Sequence, residues 1–273
     1  MNMGLFPSLE KIFKKDQSYE LFTDVGFTHT VRPQVYTSPF RHIVIENFLP
    51  EARNAAIKEN FARTLAMGLG GETSQDRFRH RTMYDLDLFW PEPSLEGPQS
   101  PFFSVSYFEM LRKLFDRPLS NDTILSYHHH DKSVDDNYIH NDFTEGYFVD
   151  APLPNGINPW HFQCTHSAPP ATEQSRAMPR ALAAIYYLND SWQLSDGGET
   201  AFFSANNHTA LERKIEPVNN KLLVFEITPT SWHSYLKSAA PSRNSVAQWF
   251  FMPPQEAARR FPNKPLWKGS LGY

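Results

Sequence analysis

The sequence predicts a mainly β fold with flanking helices (α+β), and three observations carry that prediction. From residue 124 onward, short apolar runs alternate with Gly, Asn and Pro punctuation, at lengths and spacings that fit a sandwich or barrel. Aromatic residues make up 14% of the chain and prolines number 22, which suits many turns around a well-filled interior. Before residue 120, apolar residues recur instead at helical spacing in separate stretches.

In order, Ser8 to Lys15 reads as a short amphipathic helix with Leu9, Ile12 and Phe13 on one face. Phe40 to Phe48 is rich in β-branched residues and reads as a strand, and Pro50 then opens a helix to about Ala66. Arg77 to Arg81 reads as a short strand with Arg77, Arg79 and Arg81 on one face. That face is either a charged sheet edge kept from pairing or a carboxylate-binding wall. Pro91 to Pro101 is a Pro-rich loop, and Ser104 to Arg117 is a helix with Phe108, Leu111, Leu114 and Phe115 on one side. Ile124 to Tyr127 is a strand, with His128, His129 and His130 as partly exposed residues at its end. Phe143 to Arg180 has six prolines and no periodicity, and is expected to be a long loop acting as a lid, with Trp160, His161, His166, Arg176 and Arg180 as loop residues. Further strands follow at 181–188, 198–203, 214–218, 221–227, 232–236 and 243–252. Asn219-Asn220 is a turn signal between the fourth and third from last.

Composition excludes several classes. A net charge of −4 gives no field for nucleic acid or anionic lipid. With Cys164 the lone cysteine, no internal disulfide forms, which is compatible with a reducing compartment. No run of 18 apolar residues exists, and residues 1–16 lack the apolar region of a signal peptide. A cytoplasmic protein without membrane contact is expected. One domain over 1–273 is expected, with 1–120 as N-terminal support, 121–253 as the β core and 254–273 as a tail.

The stretch Tyr138-Ile139-His140-Asn141-Asp142, read as a strand, puts His140 and Asp142 on one face. An imidazole and a carboxylate so placed can take adjacent positions on one metal ion. His233, 91 residues on (233 − 142), offers a third ligand. Two His and one carboxylate on one side of a metal leave the other side open, the arrangement of non-haem Fe(II) oxygenases. Taken alone, a His-x-Asp triplet is equally a solvated pair on a surface strand.

More of the chain follows one pattern. His140 and Asp142 are followed by Ile185-Tyr186-Tyr187-Leu188-Asn189 and Gly197-Gly198-Glu199-Thr200. Then come apolar Leu222-Leu223-Val224-Phe225, His233, and Arg243 ten positions beyond it, leading into Gln248-Trp249-Phe250-Phe251. In this order the stretch 124–252 resembles the prolyl-4-hydroxylase branch of the Fe(II)- and 2-oxoglutarate-dependent dioxygenases, and Arg41 to Pro50 resembles the segment that precedes the barrel there. The resemblance implies a double-stranded β-helix, the jelly roll shared with cupins. It implies Fe(II) on His140, Asp142 and His233, 2-oxoglutarate and O2 as cosubstrates, and Arg243 pairing with the far carboxylate of 2-oxoglutarate. Ser245, in an Arg-x-Ser pattern, and Tyr127 are implied as further contacts to that carboxylate. If 232–236 and 243–248 pair as a hairpin, Arg243 lies near His233 on the same face.

The implied activity is hydroxylation of an unactivated C–H bond. A free amino acid or similar small metabolite is the expected substrate, with Tyr138, Arg79 and Arg81 lining its pocket. A prolyl or other residue in a protein is the alternative within the class. Outside the class, the same triad with zinc serves a hydrolase, and an occupied jelly roll serves a binding module. A hydrolase has no need of a buried cation ten residues past its last ligand.

Overall fold

A computed structural model describes residues 17–71, 76–81, 85–89, 93–133, 135–161 and 175–264. The elements are β1 (Tyr19–Leu21), β2 (His29–Val31), β3 (Gln34–Tyr36), β4 (His42–Ile45), α1 (Glu51–Ala66), β5 (Arg79–His80), β6 (Asp85–Phe89), α2 (Val105–Phe115), β7 (Thr123–Asp131), β8 (Glu145–Val149), β9 (Ser175–Tyr187), β10 (Thr200–Phe203), β11 (Leu211–Ile215), β12 (Leu222–Glu226), β13 (Trp232–Tyr235), β14 (Ser242–Phe251) and α3 (Pro254–Arg260). The expected helix at 8–15, together with Cys164 and His166, lies outside the described residues.

The large sheet runs β3-β4-β12-β9-β14-β7-β6-β5, with β8 added on β9. A small sheet runs β11-β10-β13, and an isolated bridge between His140 and His233 extends it. The sheets face each other. Phe202 of β10 meets Phe40 and Phe225 from the large sheet's side, with ring centroids 4.5 and 5.2 Å apart. Two antiparallel sheets closed over a shared interior are the double-stranded β-helix.

Helices cover the outer face of the large sheet. In α1, Asn54, Ile57, Phe61 and Thr64 are buried, a spacing that holds one face inward over three turns. Glu51 in its first turn and Arg63 in its last match the helix dipole. In α2, Tyr107, Phe108, Leu111, Leu114 and Phe115 are buried. Phe61 packs on Tyr127 of β7 and Phe108 on Phe250 of β14, each pair 4.9 Å between centroids. The pleat therefore sorts each strand: Val246 and Phe250 of β14 face the helices, while Ala247 and Trp249 face the interior between the sheets. None of the helices among the described residues is long and apolar enough to cross a membrane.

Several expectations are corrected. Residues 138–142 form no strand; they are an irregular segment joined to the small sheet by the His140 bridge and by Ile139, which packs on the cluster of Ala201, Phe203 and Leu236. β13 and β14 are not a hairpin: β13 pairs with β10, while β14 lies between β7 and β9 in the opposite sheet. β11 and β12 likewise fall in different sheets, so Asn219-Asn220 serves a crossing between sheets. The histidine run lies inside β7, not beyond its end. The segment 143–180 is not one loop. It begins with β8, which pairs with the first residues of β9, and Arg176 and Arg180 are strand residues. Residues 162–174, the centre of the expected lid, lie outside the described residues.

Candidate active site

His233 and His140 are directly opposed: each backbone N–H donates to the other's carbonyl, at 2.8 and 3.0 Å. That bridge brings the two rings to 4.3 Å between centroids. Asp142 follows two residues after His140 with φ 58°, in the left-handed region. Asn141 fixes the kink, donating to the Pro229 carbonyl and accepting from the Phe143 N–H. The turn, not strand alternation, aims the carboxylate at the imidazoles. Ligand atoms of His140, Asp142 and His233 all lie within 4.8 Å of one another, so the three can hold one metal ion.

The donor set fits a metal in three respects. Both imidazoles use Nδ1 on backbone carbonyls, His140 on Tyr138 at 3.2 Å and His233 on Ser231 at 2.9 Å. This leaves Nε2 as the lone-pair nitrogen, and each Nε2 stands 3.9 Å from an Asp142 oxygen. Such a fixed tautomer is the usual second partner of a metal-bound histidine. Burial pushes His140 below its ordinary range, and burial with neighbouring His140 pushes His233 down to about 3, so both stay neutral as ligands must. Finally, Asp142 Oδ1 is buried and accepts no hydrogen bond of good geometry among the described residues. A coordinated cation answers a buried oxygen of that kind.

Two further residues hold Asp142. Trp249 Nε1 donates to Oδ2 at 2.8 Å. Arg180 Nη1 stands 3.0 Å from Oδ1, with its guanidinium 4.6 Å over the Trp249 ring. Burial alone would raise the carboxyl. Arg180, the two imidazoles and the indole N–H outweigh it and hold Asp142 well below the usual carboxylate range. In the sequence Arg180 reads as a loop residue, and neither it nor Trp249 is marked as part of the site. Alternation along 243, 245, 247 and 249 signals Trp249; Arg180 carries no such signal, because β9 begins at Ser175, inside a stretch without strand periodicity.

Arg243 enters from β14, across the cavity from His233. Its Nε donates to the Gly198 carbonyl at 2.7 Å and an Nη to Thr200 Oγ1 at 3.0 Å. Its guanidinium lies 5.4 Å from the rings of both Tyr187 and Tyr235. The Gly-Gly-Glu-Thr motif thus supplies the cradle, and Gly198 is tight: a Cβ there would come within 3.3 Å of Arg243 Cδ. Ser245, on the same face, lines the same cavity. Apolar walls come from Ala183, Ile185, Phe225 and Ala247.

Tyr127 is a correction. It faces the helices, 1% exposed, with its hydroxyl bonded to Asn60 and Gln99 at 2.9 and 2.7 Å. The pleat of β7 instead turns His128 and His130 into the cavity. Tyr138 is 38% exposed and stacks near the His140 ring at 4.8 Å, outside the cavity wall. Arg79 is paired with Asp87 at 3.1 Å, and Arg81 lines the cavity.

Comparison with known proteins agrees with this geometry. Residues 128–251 match the family described as the 2OG-Fe(II) oxygenase superfamily. Its members take their name from Fe(II) and 2-oxoglutarate, and His140, Asp142, His233 and Arg243 all fall inside the matched span. Prolyl 3-hydroxylase OGFOD1 of Mus musculus is 34% identical over 79 residues, 27% of this chain and 14% of that protein. The match therefore spans a small part of that relative's length. A prolyl-4-hydroxylase from Pseudomonas putida superposes with a TM-score of 0.50 at 18% identity, over 78% of this chain and 92% of that one. A prolyl hydroxylase from Trichoplax adhaerens, solved with a hypoxia inducible factor peptide, gives 0.50 at 16% identity, over 82% and 87%. At such identities the likeness is one of fold.

Proposed function

We propose that this chain is an Fe(II)- and 2-oxoglutarate-dependent dioxygenase that hydroxylates an unactivated C–H bond of a small molecule. The observation that carries the reading is the pairing of two features across one cavity. One is a His-Asp-His cluster with both Nε2 atoms facing the carboxylate. The other is a buried arginine held on the opposite wall. In this reading His140, Asp142 and His233 hold the iron, and Arg243 pairs with the distal carboxylate of 2-oxoglutarate, with Ser245 and Thr200 beside it. Tyr187 takes the aromatic contact first expected of Tyr127.

When bound, iron and 2-oxoglutarate supply the oxidation: O2 is consumed, 2-oxoglutarate becomes succinate and CO2, and one oxygen atom enters the substrate C–H. The chain's own residues do the rest. Backbone carbonyls of Tyr138 and Ser231 fix the imidazole tautomers. Trp249 and Arg180 keep Asp142 ionised and aimed. The Gly198 carbonyl and Thr200 hydroxyl orient the Arg243 fork, which binds a carboxylate bidentately as lysine does not. Ala183, Ile185, Phe225 and Ala247 keep water from the centre, which strengthens every charge interaction there.

Succinate release from 2-oxoglutarate by anaerobically purified protein, given Fe(II) and then air, tests this. Wild type makes succinate; His233→Ala and Arg243→Ala fall at least a hundredfold. Equal succinate from wild type and His233→Ala would sink the reading. The name of the mouse relative supports one second reading, hydroxylation of a prolyl residue in a protein. It predicts that a proline-containing peptide, and no free metabolite, stimulates turnover.

A further inference from the structure

The pleat of β7 places His128 and His130 in the cavity wall, between Arg243 and the residues that hold Asp142. In the register of β7 with β14, His130 opposes Arg243, His128 opposes Ser245 and Ile124 opposes Trp249. Two residues along a strand are roughly 6.5 Å, so His128 stands about that far from the row of Arg243 and His130. The step leads toward Trp249, whose indole donates to Asp142 at 2.8 Å. Ring distances agree. The His128 ring is 6.0 Å from that of His130 on one side and 6.0 Å from that of Trp249 on the other.

The polar neighbours of His128 in this wall are bonded. His130 Nδ1 and Asp85 Oδ1 share a hydrogen bond of 2.6 Å, and Thr200 accepts from Arg243 at 3.0 Å. Among the described residues that line the cavity, two side-chain atoms are buried with no hydrogen bond of good geometry: Asp142 Oδ1 and His128 Nε2. A metal ion answers the first. The second belongs to a side chain on a residue only 7% exposed. A buried polar atom in a cavity wall marks the place where a ligand supplies the missing partner. Burial pushes His128 well below its ordinary value, so the ring is neutral and one of its nitrogens carries a proton to donate.

The chemistry of the cosubstrate singles out that partner. Both oxygens of the far carboxylate of 2-oxoglutarate go to Arg243 in the oxygenase reading. The keto oxygen and one oxygen of the C1 carboxylate go to the metal. The methylene groups between the two ends ask for nothing polar. One C1 oxygen is left over, charged, in a cavity whose other walls are the apolar Ala183, Ile185, Phe225 and Ala247. We infer that His128 Nε2 donates a hydrogen bond to this remaining C1 oxygen, which makes His128 a cosubstrate-binding residue. The inference rests on the oxygenase reading and deepens it: Arg243 holds the distal end and His128 the chelating end. A hydrogen bond to an ionised oxygen is stronger than one between neutral groups. Its direction also fixes which C1 oxygen turns to the metal.

The test uses the full chain loaded with Mn(II), which does not turn over, and measures the binding of 2-oxoglutarate and of oxalate by calorimetry. Oxalate carries the chelating end and has no distal carboxylate arm. His128→Phe keeps the bulk of the ring and removes the donor. It should weaken both ligands in the same proportion, by about tenfold or more. Arg243→Ala should weaken 2-oxoglutarate and leave oxalate within about twofold. His128→Gln, whose amide N–H reaches a similar place, should recover part of the loss. Each variant should keep its Mn(II) affinity within about twofold, which also shows that it folds; His128→Leu serves where His128→Phe does not fold. If the variant without the donor binds oxalate as wild type does, or weakens 2-oxoglutarate alone, the inference is overturned, because Nε2 then serves the distal end or the primary substrate. Failure of wild type to bind either ligand would instead bring down the oxygenase reading beneath it.

Discussion

At Asp142 burial and charge pull in opposite directions. Burial favours the neutral acid, while Arg180 and the Trp249 indole favour the anion. Trp249→Phe keeps the ring that Arg180 stacks on and removes one hydrogen bond. We expect metal affinity to drop about 10- to 100-fold with little change in the unfolding of the metal-free protein. Titration with Mn(II) measures the first and a thermal scan the second. Unchanged affinity would mean that the indole merely fills space. Arg243→Lys tests geometry against charge: lysine keeps the cation but not the fork. The half-saturating 2-oxoglutarate concentration should rise at least tenfold while Mn(II) affinity holds, as read by binding of each separately.

At the level of the strand and helix, the pleat decides most of what the sequence made legible and what it hid. Arg243, Ser245, Ala247 and Trp249 share a face because a strand alternates, and that face was readable. Tyr127 fell on the wrong side for the same reason: β7 runs through the histidine triplet, so His128 and His130 hold the inner positions. The His140–Asp142 pair was singled out by strand spacing, yet it sits in an irregular segment with a left-handed residue. Asn141, whose side chain bonds locally, was the sign of that turn. Arg243 stands in the sheet opposite His233, since sequence neighbours joined by a short loop can cross between sheets in a jelly roll. No local pattern reveals that. Helix α1 was plain from its period, and its role is support. Ile57 is fully buried in that face, so Ile57→Ala should cost about 2–5 kcal/mol of stability, with Mn(II) affinity unchanged; denaturant unfolding and metal titration check the two halves.

His42 ties β4 to the small sheet and gives a pH signature. Its Nδ1 bonds the Phe40 carbonyl and its Nε2 accepts from Arg213 of β11. Burial first, and Arg213 second, push it from its ordinary value of 6.5 down to about 4. The unfolded chain therefore takes up the proton more readily. The stabilisation is fully present above pH 6.5 and is lost as pH falls toward about 4. His42→Leu should flatten the fall of metal-free stability across that window by roughly one proton's worth of slope. An unchanged slope in urea melts at stepped pH would contradict it.

For the molecule as a whole, the two sheets close on a polar seam inside an apolar interior. Ligands on the small sheet side face a cation on the large one, so whatever fills the cavity ties the sheets together. A ligand that binds the folded chain alone stabilises it by about 2.7 kcal/mol at a hundred times its Kd. Mn(II) and 2-oxoglutarate together should raise the unfolding midpoint more than either does alone. The central claim is that one cavity holds both iron and 2-oxoglutarate, on His140, Asp142, His233 and Arg243. The most direct measurement is visible absorption of the anaerobic protein titrated with Fe(II) and 2-oxoglutarate. Wild type should show a chelate band, absent in His233→Ala, and reached only at much higher 2-oxoglutarate in Arg243→Ala. A wild type that binds Fe(II) yet forms no band, or a band that survives His233→Ala unchanged, would contradict it.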